Sequence, residues 1–580
     1  MEVVEVARAS RELDFQALNA LLAKYDENGH INFDYEYQAV RKYFLDYVNK
    51  NMVFFHSLRE RLTYLFEHKY YDPAVFDQYS FSFMQSLYDR AYSKKFRFRT
   101  LLGAHKFYSA YALRTKDGSR YLERYEDRVV ASALLLARGN EDEAIEYLDE
   151  IISGRYQPAT PTFSNAGKCN FGELVSCFIC NVGDNLEDIT RQWMNAAQLS
   201  KIGGGVGLCI TDVRASGDPI KGVDDRSDGV RPMCKVFEDI FTYVNQLGAR
   251  PGAGVVWINA LHLDAPDLID CKKENIDEKI RLTNLNIGLM TPDILYVLAA
   301  ENKDVCLFSP YDIERQTGIK MSQTDFNKVY WDLANNPKIR KKRVNARAYL
   351  QEISKIQMES GYPFIGFIDT INRANNIEGY ISSSNLCSEI LQVAESSVLT
   401  GDNQYEVVGR DISCNLGSMN AYKTLMSPDF GRTIEAGVRM CTAVSDMSKI
   451  MWVPSVLKGN ELGHAIGVGV MNLHGTFAEL GMTYGSEESL EFTDVFFMSM
   501  RYYALKASNA LAKEHGAFFD FAKSKYATGE ALKRYIYKDY RDKIHPSVMA
   551  IFDEAPGFVV PTAQDWAELN QDIMTYGLYN

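Results

Sequence analysis

No apolar run of about 18 residues, the minimum for a membrane helix, occurs anywhere in this 580-residue sequence. The N-terminus, Met1-Glu2-Val3-Val4-Glu5, has no basic region and no apolar signal core, which argues against secretion. Positive charge is also short. Against 76 Asp and Glu stand 63 Lys and Arg, leaving a net charge of −13. A polynucleotide backbone needs a basic face, so no nucleic-acid polymer is expected as a partner. Mononucleotides stay open, because a few Arg side chains and helix N-termini can hold them. Ten cysteines in a chain this long fit a reduced, cytoplasmic protein better than a disulfide scaffold.

The common nucleotide motifs are missing too. There is no G-x-x-x-x-G-K-[ST] loop. The glycines of Lys201–Gly207 follow a helical segment and precede a strand-like run, the reverse of the dinucleotide-binding order. They read either as a turn that lets backbone approach a ligand or as a tight turn at a barrel edge. Cys177-Phe178-Ile179-Cys180 forms a C-x-x-C, but no second pair of ligands accompanies it, so no metal site is expected.

The composition, 46% hydrophobic and 24% charged, is that of a globular chain long enough for more than one domain. The first 155 residues read as a helical domain rich in Tyr and Phe. Ala144, Ile145, Leu148, Ile151 and Ile152 follow helical spacing over Glu141–Ser153, and Gly154 supplies a stop. From residue 156 to 580, apolar runs at Val206–Ile210, Leu285–Met290, Phe364–Ile368 and Ile466–Met471 alternate with helical patterns. This predicts an α/β domain, and the pattern leaves a barrel and a large sheet both open.

The most unusual segment is Ser384-Asn385-Leu386-Cys387-Ser388-Glu389. In an extended chain Asn385, Cys387 and Glu389 share one face, with Leu386 and Ser388 opposite. A thiol can act as a nucleophile or one-electron centre, Glu can move a proton and Asn can orient a hydroxyl. The bland alternative is a buried cysteine beside a turn. Cys177 lies in a strand-like run from Leu174 to Ile179, and Cys414 lies in Asp411–Ser418. If folding brings their Cα atoms within roughly 4.4–6.8 Å they can form a disulfide, which in a reducing compartment would be redox-active. Otherwise they are two unrelated buried thiols. Cys169, Cys209, Cys234, Cys271, Cys306 and Cys441 read as packing residues. Asp184-Asn185-Leu186-Glu187 has the form of a capping box, with Asp184 as N-cap. A second glycine loop, Gly248–Gly254, contains Arg250. The cluster Lys338–Arg343 reads as a solvated face.

Several segments together resemble the catalytic α subunit of class I ribonucleotide reductase, most closely class Ib. They are Gln157–Thr162, Ser176-Cys177, Gly203–Gly205, Asn385–Glu389, Ser413–Ser418 and Gly467–Gly475, in the family's order. The class Ib likeness rests on the short start around Asn32–Phe55. The resemblance implies a ten-stranded α/β barrel, incomplete at its C-terminal end, behind a helical N-terminal domain. It implies a thiyl radical at Cys387, generated by a metal-containing β subunit, and no cofactor held tightly in this chain. The substrate would be a ribonucleoside diphosphate, contacted by Thr160, Ser176, Cys177, Gly205, Asn385, Leu386, Cys387, Ser388 and Glu389. Glu389 would accept the 3′-hydroxyl proton and Asn385 would hydrogen-bond the sugar. Cys177 and Cys414 would supply two electrons and finish as a disulfide, re-reduced by a thioredoxin- or glutaredoxin-like protein. Asp184, Arg214 and Arg250 would answer to a deoxynucleotide or ATP effector at the interface of an α homodimer. Relatives of this family continue beyond the point where Asn580 stands, with a phosphate loop, a tyrosine pair and a cysteine pair. The resemblance therefore implies a second polypeptide or a spliced segment that completes the enzyme. A catalytically incomplete nucleotide-binding relative is the main alternative; a cobalamin-dependent class II reductase is a third reading.

Overall fold

The spacing of Ala144, Leu148, Ile151 and Ile152 becomes one buried face of a helix over Glu141–Ser153. Asn140 caps its first turn, and Gly154 ends it in the left-handed conformation. This helix packs on the helix Tyr125–Ala137. The computed structural model describes residues 15–25, 28–31, 34–169, 172–244, 252–536 and 543–580.

Contacts divide the chain into two units. The first comprises residues 1–174, 417–427 and 470–473, and the second comprises residues 175–416, 428–469 and 474–580. The change of sequence character at Tyr156 therefore precedes the division of contacts. Strand β1 (Tyr156–Pro158) belongs to the first unit, where it pairs antiparallel with Gly417–Met419. The described residues before Tyr156 are mainly helical. At its centre the Arg128 guanidinium is fully buried against Glu123 (3.1 Å), which also accepts a hydrogen bond from the Leu113 backbone N–H (2.8 Å). Burial of a charge at this depth requires such pairing.

The second unit holds the large sheet. Strands β2 (Cys177–Asn181), β3 (Gly205–Cys209), β4 (Ala253–Asn259) and β5 (Asn286–Thr291) are parallel neighbours in sequence order. Between β5 and the next sheet strand, β6 (Asp304–Phe308) and β7 (Lys341–Asn345) form a separate antiparallel pair. Strand β8 (Phe364–Phe367) then returns parallel to β5. After a small ribbon of β9 (Val398–Leu399) and β10 (Tyr405–Val407), strand β11 (Ile412–Asn420) runs antiparallel to β2, and β12 (Ile466–Met471) pairs with β11. Parallel neighbours need crossover connections of a dozen or more residues. The helices Leu186–Lys201, Val230–Tyr243 and Asp293–Ala300 lie in those crossovers.

Five parallel strands followed by an antiparallel start of a second set make a curled α/β sheet. Among the described residues this sheet has eight strands, a half-barrel of the α/β class, where the resemblance implies a ten-stranded barrel incomplete at its C-terminal end. The runs predicted at 206–210, 285–290, 364–368 and 466–471 all contain strands. Among the described residues no helix is long and apolar enough to cross a membrane.

Candidate active site

Residues two apart on a strand share a face. On β3 this places Gly205, Gly207 and Cys209 on the face that receives residues 382–386. Ser382 lies with its carbonyl 4.0 Å from Cys209 Sγ. A Cβ added at Gly207 would overlap the Ser384 carbonyl oxygen and stand 2.8 Å from Asn385 Cα. One added at Gly205 would meet Leu386 Cδ2 at 2.7 Å. The segment thus descends along β3, with its backbone set directly on the strand where glycine leaves room. Trp257 on β4 holds it from one side, donating its indole N–H to the Asn385 carbonyl at 3.2 Å.

Beyond Asn385 the chain turns, so the predicted extended face shared by Asn385, Cys387 and Glu389 does not form. Asn385 Oδ1 accepts the backbone N–H groups of Glu389 (3.1 Å) and Ile390 (3.0 Å). Ser388 adopts φ 69° and Ser384 Oγ donates to the Ile390 carbonyl at 2.7 Å. An Asn side chain competing for nearby backbone donors converts the segment into a closed turn. Asn385 is completely buried, and among the described residues its Nδ2 has no hydrogen-bond partner. An unpaired buried donor costs about 1–3 kcal/mol, which a ligand oxygen would relieve. Cys387 and Glu389 occupy the exposed tip of the turn.

The two strand cysteines come together. In the antiparallel ladder of β2 and β11, Cys177 stands directly opposite Cys414. Such partners have Cα atoms roughly 4.5–5.5 Å apart, inside the span that a disulfide bridges. Both cysteines are buried. In the parallel ladder Cys177 is also in register with Gly205, so Cys414, Cys177 and Gly205 form one row beneath Leu386. The Cys177 thiol donates toward Glu389 Oε1 at 3.9 Å, and Ser176 Oγ lies 3.9 Å from its sulfur. The Gly205 backbone N–H donates to the Ser176 carbonyl at 2.7 Å. Burial pushes the Cys414 thiol well above the ordinary thiol range, and the Cys177, Cys441 and Glu389 groups add to the shift. Cys414 is therefore a protonated thiol at neutral pH. A cavity of about 780 Å³ opens beside Cys414 and Glu389, lined largely by apolar side chains such as Ile390, Ile412 and Ile466. That volume suits a small-molecule ligand.

The other predicted residues lie apart from this group or outside it. Thr160 belongs to the first unit, where its Oγ1 is hydrogen-bonded to the Tyr111 hydroxyl at 3.0 Å. Asp184 is not the helix N-cap: Asn185 is, accepting the Asp188 N–H at 2.8 Å. Asp184 instead takes the Arg214 backbone N–H (2.8 Å) and pairs with its guanidinium (2.9 Å). Arg214 also lies over the Tyr311 ring, 5.0 Å from its centroid. Arg250 lies outside the described residues. The 338–343 cluster is only partly a solvated face, because Arg340 turns inward to Asp218 (2.8 Å) and Lys341 Nζ donates to the Leu333 carbonyl (3.1 Å).

Two residues essential to this arrangement escaped the sequence reading. Gly207 was visible only as one more glycine of a turn. Trp257 is 1% exposed within an apolar strand, and a buried Trp needs a partner for its N–H. That requirement was the available signal, but nothing along the chain points to a carbonyl at position 385.

Comparison with known proteins gives the family. Residues 15–96 match the ribonucleotide reductase N-terminal family, 97–170 its all-alpha domain and 175–580 its barrel domain. The ribonucleoside-diphosphate reductase subunit alpha of Mycoplasma pneumoniae is 42% identical over 567 residues, covering 97% of this chain and 78% of that protein. The subunit of the same name from Bacillus subtilis is 40% identical over 557 residues, covering 96% of this chain and 79% of its own length.

Proposed function

We propose, from the premise that this chain belongs to the ribonucleotide reductase α-subunit family, that Cys387, Cys177 and Cys414 divide the work of reducing a ribonucleoside diphosphate. The activity is that of a ribonucleoside-diphosphate reductase catalytic subunit. The observation that carries the division of labour is the ladder pairing of Cys177 with Cys414, with Glu389 3.9 Å from the Cys177 thiol.

Cys387, oxidised to a thiyl through a separate radical-generating subunit, removes the 3′ hydrogen of the sugar. Glu389 accepts the 3′-hydroxyl proton, a general-base task for an accessible carboxylate. Asn385 donates its free Nδ2 hydrogens to a sugar oxygen. Cys177 gives a proton to the departing 2′-hydroxyl, which leaves as water. Cys177 and Cys414 supply two electrons, close a disulfide, and Cys387 returns its hydrogen to the 3′ carbon. The sum is ribonucleotide plus dithiol giving deoxyribonucleotide, water and disulfide. Ser176, Gly205, Leu386 and Ser388 line the sugar. A thioredoxin- or glutaredoxin-like dithiol restores the pair.

The test is a single turnover without external reductant, with the radical-generating subunit present, and with and without a polypeptide supplying the relatives' further C-terminal segment. We expect about one deoxynucleotide per active site in at least one arm, together with a Cys177–Cys414 disulfide in the peptide map. Product formed with both thiols still free would refute the assignment.

The effector reading places a deoxynucleotide or ATP at Asp184, Arg214 and Arg250. Arg214 offers a guanidinium backed by Asp184 and stacked on Tyr311, a polar and aromatic surface suited to a nucleotide. The neighbouring helices Leu186–Lys201 and Val230–Tyr243 leave Leu186 66%, Met194 44% and Tyr243 88% exposed, which supports an α homodimer through these helices. Sedimentation should show wild-type dimers and a Tyr243→Asp chain shifted at least about tenfold toward monomer, as expected for burying an unpaired charge. An unchanged dimer would remove this surface from consideration.

A further inference from the structure

Strand β11 has a second face. While Ile412 and Cys414 point toward β2's reacting side, the alternate residues Ser413 and Asn415 point away. Both flank Cys414 directly, and both donate to one atom. Ser413 Oγ reaches Asn460 Oδ1 at 3.1 Å and Asn415 Nδ2 reaches the same oxygen at 3.3 Å. Asn460 lies on the helix Pro454–Gly463 and is 7% exposed. Its Oδ1 also accepts from Ser445 Oγ (3.0 Å), and its Nδ2 donates to the Ser445 carbonyl (2.8 Å). Asn415 Nδ2 makes a further bond to the Ala465 carbonyl at 2.8 Å. One side chain thus ties both neighbours of Cys414 to the helix Phe430–Met447.

The helix that carries Asn460 is seated on the strand by a close approach. A Cβ at Gly459 would overlap the Asp411 carbonyl oxygen, so only glycine permits this contact. Asp411 adds two ties to the start of the same helix: its N–H donates to the Ser455 carbonyl at 3.1 Å, and its carboxylate accepts from Ser455 Oγ at 2.6 Å. The polar layer is buried, and buried hydrogen bonds of this kind specify one arrangement because leaving them unmade is costly.

We propose that Asn460 is a positioning residue for the redox pair, holding β11 from behind so that the Cys414 thiol faces Cys177 in both the dithiol and the disulfide state. The inference rests on the reading of Cys177 and Cys414 as that pair. Its physical basis is effective concentration: a disulfide is favoured to the extent that its two thiols are held together. The relevant exchange with glutathione is dithiol plus oxidised glutathione giving protein disulfide plus two reduced glutathiones.

The experiment equilibrates the full chain in glutathione buffers, quenches it with acid and alkylation, and maps the Cys177–Cys414 disulfide by mass spectrometry. Asn460→Leu removes the shared acceptor at nearly constant volume, and we expect its oxidation equilibrium constant to fall about tenfold, equivalent to about 30 mV for a two-electron couple. Asn460→Asp keeps the acceptor for Ser413 and Asn415 but puts an oxygen where Nδ2 donates to the Ser445 carbonyl, so it should fall between Asn460→Leu and wild type, a partial rescue that loss of helix packing alone would not predict. Ser413→Ala removes one of the two ties and should lower the constant about threefold; it carries the test if Asn460→Leu does not fold. Unchanged constants in a folded Asn460→Leu chain or, failing that, in Ser413→Ala would overturn the positioning role while leaving the redox pair intact. A wild-type chain that forms no Cys177–Cys414 disulfide at any buffer composition would overturn the redox pair itself, and the inference with it.

Discussion

Replacing Cys387 with Ser should abolish deoxynucleotide formation, a loss of at least about a thousandfold of the kind seen when a reacting group is removed outright. The substitution is small and falls at the exposed tip of a turn. The turn is held by Asn385 Oδ1 on the Glu389 and Ile390 N–H groups, the Trp257 bond to the Asn385 carbonyl, and Ser384 on the Ile390 carbonyl. All of these survive in the variant. Stability, nucleotide binding and the oxidation of Cys177 with Cys414 by glutathione should therefore stay near wild type while turnover vanishes. The chemical reason is specific. An alcohol O–H bond is much stronger than a thiol S–H bond, so serine does not become the radical that removes a ribose hydrogen. The measurement is the single-turnover assay described above, run beside a thermal melt. Activity within tenfold of wild type would end the thiyl assignment.

Gly207→Ala should be nearly as damaging without touching any reacting group. Its added methyl collides with backbone, the Ser384 carbonyl and Asn385 Cα. Backbone cannot rotate away as a side chain can, so residues 384–386 must lift off β3. A displacement of about 1 Å at reacting groups costs on the order of a hundredfold in rate. Gly205→Ala is the control, two residues along the same face. Its methyl meets Leu386 Cδ2, the end of a flexible side chain, at 2.7 Å. Leu386 is partly exposed and can change rotamer. We expect a loss of under about tenfold there. If Gly207→Ala keeps turnover within tenfold of wild type, then the seating of the Cys387 turn on β3 does not control the reaction.

Much of this was legible along the chain. Local periodicity found the helix Glu141–Ser153, because burial of one face imposes that spacing, and the four apolar runs all contain strands. The residue types of Ser384–Glu389 marked a reactive segment, and the joint resemblance identified its family. Two local readings failed for the same reason. Spacing alone predicts that Asn385 alternates in an extended chain and that Asp184 caps a helix. In each case a polar side chain had several partners within reach, and the fold decided between them. Asn385 captured two backbone donors of its own turn. Asp184 was claimed by Arg214, thirty residues away, and left the cap to Asn185.

The sequence alone determined which groups were available: three cysteines in suggestive surroundings, a carboxylate, an amide, and glycines before a strand. It also determined the helical and α/β halves, since both follow from short-range pattern. Only the tertiary structure decided the register. Cys177 and Cys414 are separated by more than two hundred residues, and a shift of one residue in the β2–β11 ladder would turn one of them to the opposite face. The same register sets Gly205 in their row and Gly207 under the turn that presents Cys387. Non-local pairing has no trace in the spacing of either partner, because each strand alone satisfies its own pattern whatever lies beside it.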